Sequence, residues 1–229
     1  MNQTNLVGTI MRSVANADLV PLERYPLADQ VTFKYYTGIL AFFEEKYQKA
    51  EEDLSFALER CLVTGQKQSE MKKNKSQILN YLLPTRLLRG TLPHPALFAK
   101  YPAIEATYGN FAKAIREGDV RLFDESLMRG QRELVKRGTW LAVERVRGVA
   151  VRVLFRKTWL IYDKATRIPM TAFQDALRYA GTEVELDEVQ CMLANMIDRG
   201  YLKGYLSYEK RMVVLSKGDA FPPVATVPI

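Results

Sequence analysis

One histidine and two cysteines are all that this chain of 229 residues offers to imidazole and thiol chemistry. The histidine, His94, lies between Pro93 and Pro95 in a segment that reads as a loop. A multi-histidine metal centre is therefore excluded, and a Ser-His-Asp or Cys-His site has a single residue to draw on. Cys61 and Cys191 sit far apart in stretches of helical periodicity. That suits a reducing compartment, cytosol or nucleus, with buried thiols rather than a disulfide framework. Glycine-rich dinucleotide or nucleotide loops and CxxC pairs are absent from the sequence. Long apolar runs are missing as well. GVAVRVLF is cut by Arg152 and GILAFF ends at Glu44, well short of the roughly 20 residues that span a bilayer. The opening MNQTNLVGTIMRS lacks a basic segment followed by an apolar core, so no secretory signal and no membrane partner are expected. The expectation is a non-enzymatic protein with no cofactor and no metal.

What is present is basic charge in one place. The chain has 33 Lys+Arg against 26 Asp+Glu, a formal net charge of +7. Nine basic residues and two acidic ones fall between Arg129 and Lys157, so this segment carries the whole excess. A concentrated positive zone calls for an anionic partner, nucleic acid or an acidic protein. Apolar residues make up 48% and charged residues 26%, an ordinary globular mix with enough chain for a real core.

The stretch KYYTGILAFFEEKYQKAEEDLSFAL, Lys34 to Leu58, reads as a helix hairpin with a very short turn. Phe33, Tyr36, Leu40 and Phe43 share one face of the first helix. Tyr47, Ala50, Leu54, Ala57 and Leu58 share a face of the second. Gly38, Ala50, Leu54 and Ala57 match the small and apolar positions of a tetratricopeptide-like unit, where small residues let antiparallel helices approach. Glu44, Glu45, Glu51, Glu52 and Asp53 then form a solvated face rather than a general acid and base pair. Further along, Lys75 to Leu88 is amphipathic, with Pro84 marking a kink or break. Ala106 to Glu117 and Val120 to Arg129 form another hairpin with Gly130 as its C-cap, and Trp140 to Tyr162 is a long helix. At about 100° per residue, Arg145, Arg152 and Arg156 of that helix form one basic stripe. Trp140, Trp159, Met192 and Met196 read as core.

After Lys164 the pattern changes. Thr171 with Gln174 is a capping box, Asp187 caps the next helix, and Gly200 ends it. Tyr201–Ser207 and Met212–Ser216 read as two strands. Helix, helix and β-hairpin in that order make a winged helix. The tail GDAFPPVATVPI is expected to be extended and packed by Phe221, or disordered. The fold class is thus mainly α, a helical-repeat stack over 1–164, a winged helix over 165–217 and a tail over 218–229.

A helical stack running into a C-terminal winged helix resembles the PCI module of the proteasome lid, the signalosome and a translation initiation factor. QVTFKYYTG (30–38), YQKAEEDLSFALERC (47–61), KNKSQILNYLLPTRLL (73–88), LFRKTWL (154–160), DEVQCMLANMIDRGYLKGYLS (187–207) and VVLSKGDAFPP (213–223) carry a narrower resemblance. They are similar to the PCI subunit of the nuclear transcription-and-mRNA-export complex, and to its close paralog associated with the signalosome and splicing. Members of that family run longer at the N-terminus, so a chain lacking earlier repeats is expected. The resemblance implies packing against the winged helix of a large PCI-like scaffold subunit. It also implies a small acidic disordered subunit shared with the proteasome lid, wrapped on the helical region, and a basic platform for RNA or DNA. A nuclear location, at the pores with a cytoplasmic share, goes with it.

Within the winged helix, the second helix offers Asp187, Glu188 and Asp198, with Arg199 alone at its end, so base-specific duplex readout is not expected. The wing is better equipped. Lys203, Lys210, Arg211 and Lys217 can grip phosphates, and Tyr205 or Tyr208 can stack an unpaired base. Arg156, Lys157 and Arg199 complete the expected nucleic-acid set. The stripe Arg145, Arg152, Arg156 has three readings: part of that platform, a receptor for the acidic subunit or the scaffold, or internal pairing with Glu105 or Asp124. An export scaffold with a nucleic-acid platform is the leading expectation, and a purely protein-binding PCI scaffold is the alternative.

Overall fold

The computed structural model describes Thr9, residues 20–61 and residues 68–227. Among the described residues no helix is long and apolar enough to cross a membrane, and no cluster of His, Cys, Asp or Glu could hold a metal ion. The chain divides into two compact units, Met1–Thr85 and Arg86–Ile229.

In the first unit α1 (Leu27–Phe43) and α2 (Tyr47–Arg60) form the expected hairpin. The turn is three residues long, with Glu45 at φ 60. Their approach is close because position 38 has no side chain. A Cβ on Gly38 would lie 2.7 Å from Leu54 Cγ. Ala50, Leu54 and Ala57 are fully buried against α1. The buried face of α1 is Thr37, Gly38, Ala41 and Phe42, one step round from the expected face, and Tyr36 and Phe43 are exposed. Phe42 stacks edge-on with Tyr47 and Tyr81, which leaves its neighbour Phe43 at the rim. Asp53 does not belong to the solvated face. It is 4% exposed and accepts hydrogen bonds from Lys34 Nζ at 2.6 Å and Thr37 Oγ1 at 2.8 Å. Helix α3 (Gln68–Leu88) runs through Pro84 without ending. Proline there removes one backbone donor, while Thr85 Oγ1 bonds the Tyr81 carbonyl at 2.8 Å and Leu82, Leu83 and Leu87 are buried on both sides of it.

The second unit begins in the last turn of α3. It continues with α4 (Pro95–Lys100), α5 (Pro102–Glu117), α6 (Val120–Arg137) and α7 (Trp140–Ile161). His94 caps α4, its Nδ1 accepting from the Ala96 amide at 3.2 Å. Asp119 caps α6 by accepting from the Leu122 amide at 2.8 Å. Helix α6 passes through Gly130 and stops at Gly138, whose φ of 73 supplies the left-handed cap. Gly130 is therefore interior. Leu134, fully buried beyond it, keeps that stretch of helix packed, and a single glycine does not break it. Tyr108, Phe111, Phe123, Phe155 and Phe173 are fully buried, with Phe111 and Phe123 ring centroids 5.0 Å apart. Trp140 and Trp159 are only partly buried.

The winged helix follows as β1 (Arg167–Pro169), α8 (Met170–Tyr179), α9 (Leu186–Asp198), β2 (Gly204–Ser207) and β3 (Met212–Leu215). The sheet order is β1-β3-β2, antiparallel throughout. The three-residue strand β1 has no counterpart in the sequence reading. Pro169 precedes α8 as its N-cap, so Thr171 lies inside the helix and Gln174 donates to the Val184 carbonyl instead. Glu185, not Asp187, caps α9, in a capping box with Glu188. Both differences arise because proline or glutamate occupies the extended position from which the helix starts. Phe155 of α7 meets Phe173 of α8 with centroids 4.9 Å apart, a pair contributing about 1 kcal/mol beyond its buried area. The tail is ordered against the unit: Ala220, Phe221, Val224 and Val227 are buried. Cys61 is buried and Cys191 is exposed on α9, because positions 189, 193 and 196 take the inward face of that helix.

Candidate interface of the winged helix

The β2–β3 hairpin turns at Tyr208–Arg211, where Arg211 holds φ 48. The turn is closed by the Arg211 amide donating to the Tyr208 carbonyl at 3.0 Å. The Met170 amide donates to the Arg211 carbonyl at 2.9 Å, which ties the wing to the start of α8. Tyr205 is 62% exposed and Tyr208 73%. Tyr208, Lys210 and Arg211 stand together at the exposed tip.

Lys203 and Lys217 lie at the other end of the hairpin, where the Ser216 amide donates to the Lys203 carbonyl. Lys203 also pairs with Asp219, Nζ to Oδ2 at 2.6 Å. The strand between these two groups spans roughly 10 Å at about 3.3 Å per residue. The hairpin therefore separates cations that the sequence reading grouped. Arg199 is the exposed C-cap of α9. It lines a cavity of about 350 Å³ with Arg145, Arg147 and Tyr201. Lys157 donates to the Glu117 carbonyl at 2.7 Å and so closes the C-terminus of α5. Arg156 is exposed on α7.

The arginine stripe divides. Arg152 is 5% exposed. Its Nε donates to the Tyr201 carbonyl at 3.3 Å and an Nη donates to the Pro222 carbonyl. It therefore does not present a surface cation, because the winged helix and tail cover that turn of α7. Burial, with Arg156 beside it, lowers the affinity of its guanidinium for a proton. Asp124 is paired from α7, but by Arg147 rather than by the stripe, through Nε–Oδ1 at 2.7 Å and Nη–Oδ2 at 2.9 Å. That bidentate hydrogen bond raises the Arg147 pKa against the opposing effect of burial. Sequence spacing cannot separate Arg147 from Arg145, since the choice depends on where α6 crosses α7.

Strand β2 is an edge: among the described residues it pairs only with β3. Edge strands present a free row of backbone donors and acceptors to another chain. The second helix of the wing motif, α9, is acidic in its first turn at Asp187 and Glu188, which places carboxylates rather than cations at the end of the helix that would enter a groove.

Residues 122–217 match the PCI domain family. The chain is 41% identical to the Protein CSN12 homolog of Gibberella zeae, covering 97% of this chain and 51% of that protein. It is 36% identical to PCI domain-containing protein 2 of Xenopus laevis, over 99% of this chain and 54% of that protein. Against Enhanced ethylene response protein 5 of Arabidopsis thaliana the figures are 31%, 100% and 55%. The chain thus spans about half the length of the curated relatives it matches.

Proposed function

We propose that this chain, whose residues 122–217 form a PCI domain, works as a protein-binding scaffold in a multi-subunit complex of the signalosome- or splicing-associated type. The observation that carries this reading is the open edge strand β2 with Tyr205 and Tyr208 exposed beside it. A second winged helix can add its own strand there through backbone hydrogen bonds, with aromatic rings covering the seam. The partners that fit are PCI-type subunits, and the names CSN12 and PCI domain-containing protein 2 among the relatives accord with such an assembly. The site of action under this reading is the nucleus.

The test is purification of the tagged chain from cells with Tyr205→Glu and Tyr208→Glu against the unaltered chain. PCI-type subunits identified by mass spectrometry are expected with the unaltered chain and lost with the double variant. Recovery of the same subunits at equal yield from the variant overturns the assignment of this edge.

A second reading, contact with RNA in an mRNA-export setting, is favoured by one observation. Tyr208, Lys210 and Arg211 form an exposed tip with cations and an aromatic ring together. Such a tip holds phosphates and stacks an unpaired base with little sequence preference.

A further inference from the structure

The C-terminal tail lines one side of an open cavity of about 500 Å³ in the second unit. Its walls come from the loop after α3, the end of α5, the middle of α7, and the tail at Phe221–Ala225. Four arginines line it, Arg89, Arg116, Arg152 and Arg156, and no carboxylate does. Arg116 and Arg156 are exposed, and neither is held in an ion pair among the described residues. Arg152 forms part of the wall from within. Its hydrogen bonds go to the Tyr201 and Pro222 carbonyls and its guanidinium stands 5.7 Å from the Phe221 ring centroid. None of these hydrogen-bond partners carries a full negative charge, and the one carboxylate that acts on Arg152, Asp219, does so through space and also pairs with Lys203.

We propose that this cavity binds a small ligand carrying several phosphate groups, either a free polyphosphate or the multiply phosphorylated headgroup of a lipid. The planar guanidinium fork matches phosphate oxygens in bidentate geometry. Arg116 and Arg156, both exposed on the cavity beside the buried Arg152, call for more negative charge than one carboxylate supplies. The volume falls within the roughly 300–1,000 Å³ of small-molecule pockets. A nucleic-acid strand needs a groove along which its backbone runs, whereas here the loop after α3 and the tail wall the space. The proposal stands apart from the scaffold reading, since it uses none of the wing residues.

Isothermal calorimetry with inorganic tripolyphosphate tests it, using the whole chain at physiological ionic strength. The Arg116→Ala/Arg156→Ala variant changes only exposed side chains, and an unchanged thermal midpoint checks its folding. The expected result is saturable one-to-one binding, weakened about tenfold or more in that variant as charged hydrogen bonds are lost. The charge-matched Lys210→Ala/Lys217→Ala control is expected to bind as the unaltered chain does. Flotation with phosphatidylcholine vesicles containing phosphatidylinositol bisphosphate separates the two sources. Vesicle binding lost in the arginine variant assigns a lipid headgroup, and tripolyphosphate binding without vesicle binding assigns a free ligand. Absence of saturable binding in both arms, equal weakening in the lysine control, or arginine-dependent binding of single-stranded RNA alone overturns the proposal.

Discussion

Asp53 shows how much a single carboxylate can hold in the α1–α2 hairpin. Its two oxygens accept from Lys34 and Thr37, and Thr37 is itself buried. Asp53→Ala removes that hydroxyl's shorter hydrogen bond, leaving it the Lys34 carbonyl at 3.2 Å, and is expected to lower folding stability by about 1–2 kcal/mol, read as a lower urea midpoint at unchanged slope. Asp53→Asn, which keeps an acceptor for Thr37, is expected to lose less. The part owed to Lys34 is smaller, because that side chain reaches solvent and is screened. Tyr35 gives a prediction in pH. Burial first, then the nearby Tyr81 and Tyr36, push its phenol up from 10.0 to about 12. The folded state therefore holds the proton more tightly than the unfolded chain. The stability this confers is full below pH 10.0 and is lost as pH rises from there to about 12. Tyr35→Phe is expected to flatten that part of the stability-against-pH curve, measured by denaturant titration at each pH. At this scale sequence reading was weakest. Asp53 sits in a run of acids that looks solvated, and what distinguishes it is the pairing register that sets Lys34 and Thr37 opposite it.

Among the elements, glycines separate conformational need from mere tolerance. A Cβ on Gly204 would lie 2.2 Å from the Val214 carbonyl oxygen, backbone against backbone. Gly204→Ala must push β2 off β3 and is expected to destabilise by about 1–3 kcal/mol. Gly148, inside α7, has nothing within 4 Å of the added atom, so Gly148→Ala is expected to stabilise by about 0.5–1 kcal/mol through helix propensity. Thermal midpoints moving in opposite directions check both. The helices were legible because their apolar positions recur with the helical period, as in Tyr47, Ala50, Leu54 and Ala57, all buried. Ends were less so. The end of α6 was placed at Gly130 when a second glycine, Gly138, takes the left-handed cap. Pro84 looked like a break, yet buried leucines around it carry the helix on to Leu88. Strand β1 is three residues, Arg167 to Pro169, too short to show a period of two, and exists because β3 offers it an edge.

For the molecule as a whole, the net charge of +7 bears on association with polyanions rather than on the fold. If the wing tip touches RNA, fluorescence anisotropy with labelled single-stranded RNA will weaken steeply as salt rises from about 50 to 200 mM. Lys210→Ala/Arg211→Ala will reduce the salt slope, and two RNAs of unrelated sequence will bind alike. A slope unchanged in the variant places the contact elsewhere. The basic zone was evident in the sequence, but its distribution was not. Arg147 goes to Asp124, Arg152 goes inside, and Arg156 joins Arg89 and Arg116, because each depends on elements that cross α7 from distant parts of the chain.

The burial of Arg152 also orders events in time. Its acceptors, the carbonyls of Tyr201 and Pro222, lie 49 and 70 residues further along the chain. During synthesis α7 emerges with a bare guanidinium on the face that will later be interior. The long helix cannot settle into its final surroundings until Pro222, 70 residues further on, has been added. A chain cut short just before Phe221 would therefore lose more than a tail: it would leave a finished helix whose inward guanidinium has one of its two carbonyl partners missing.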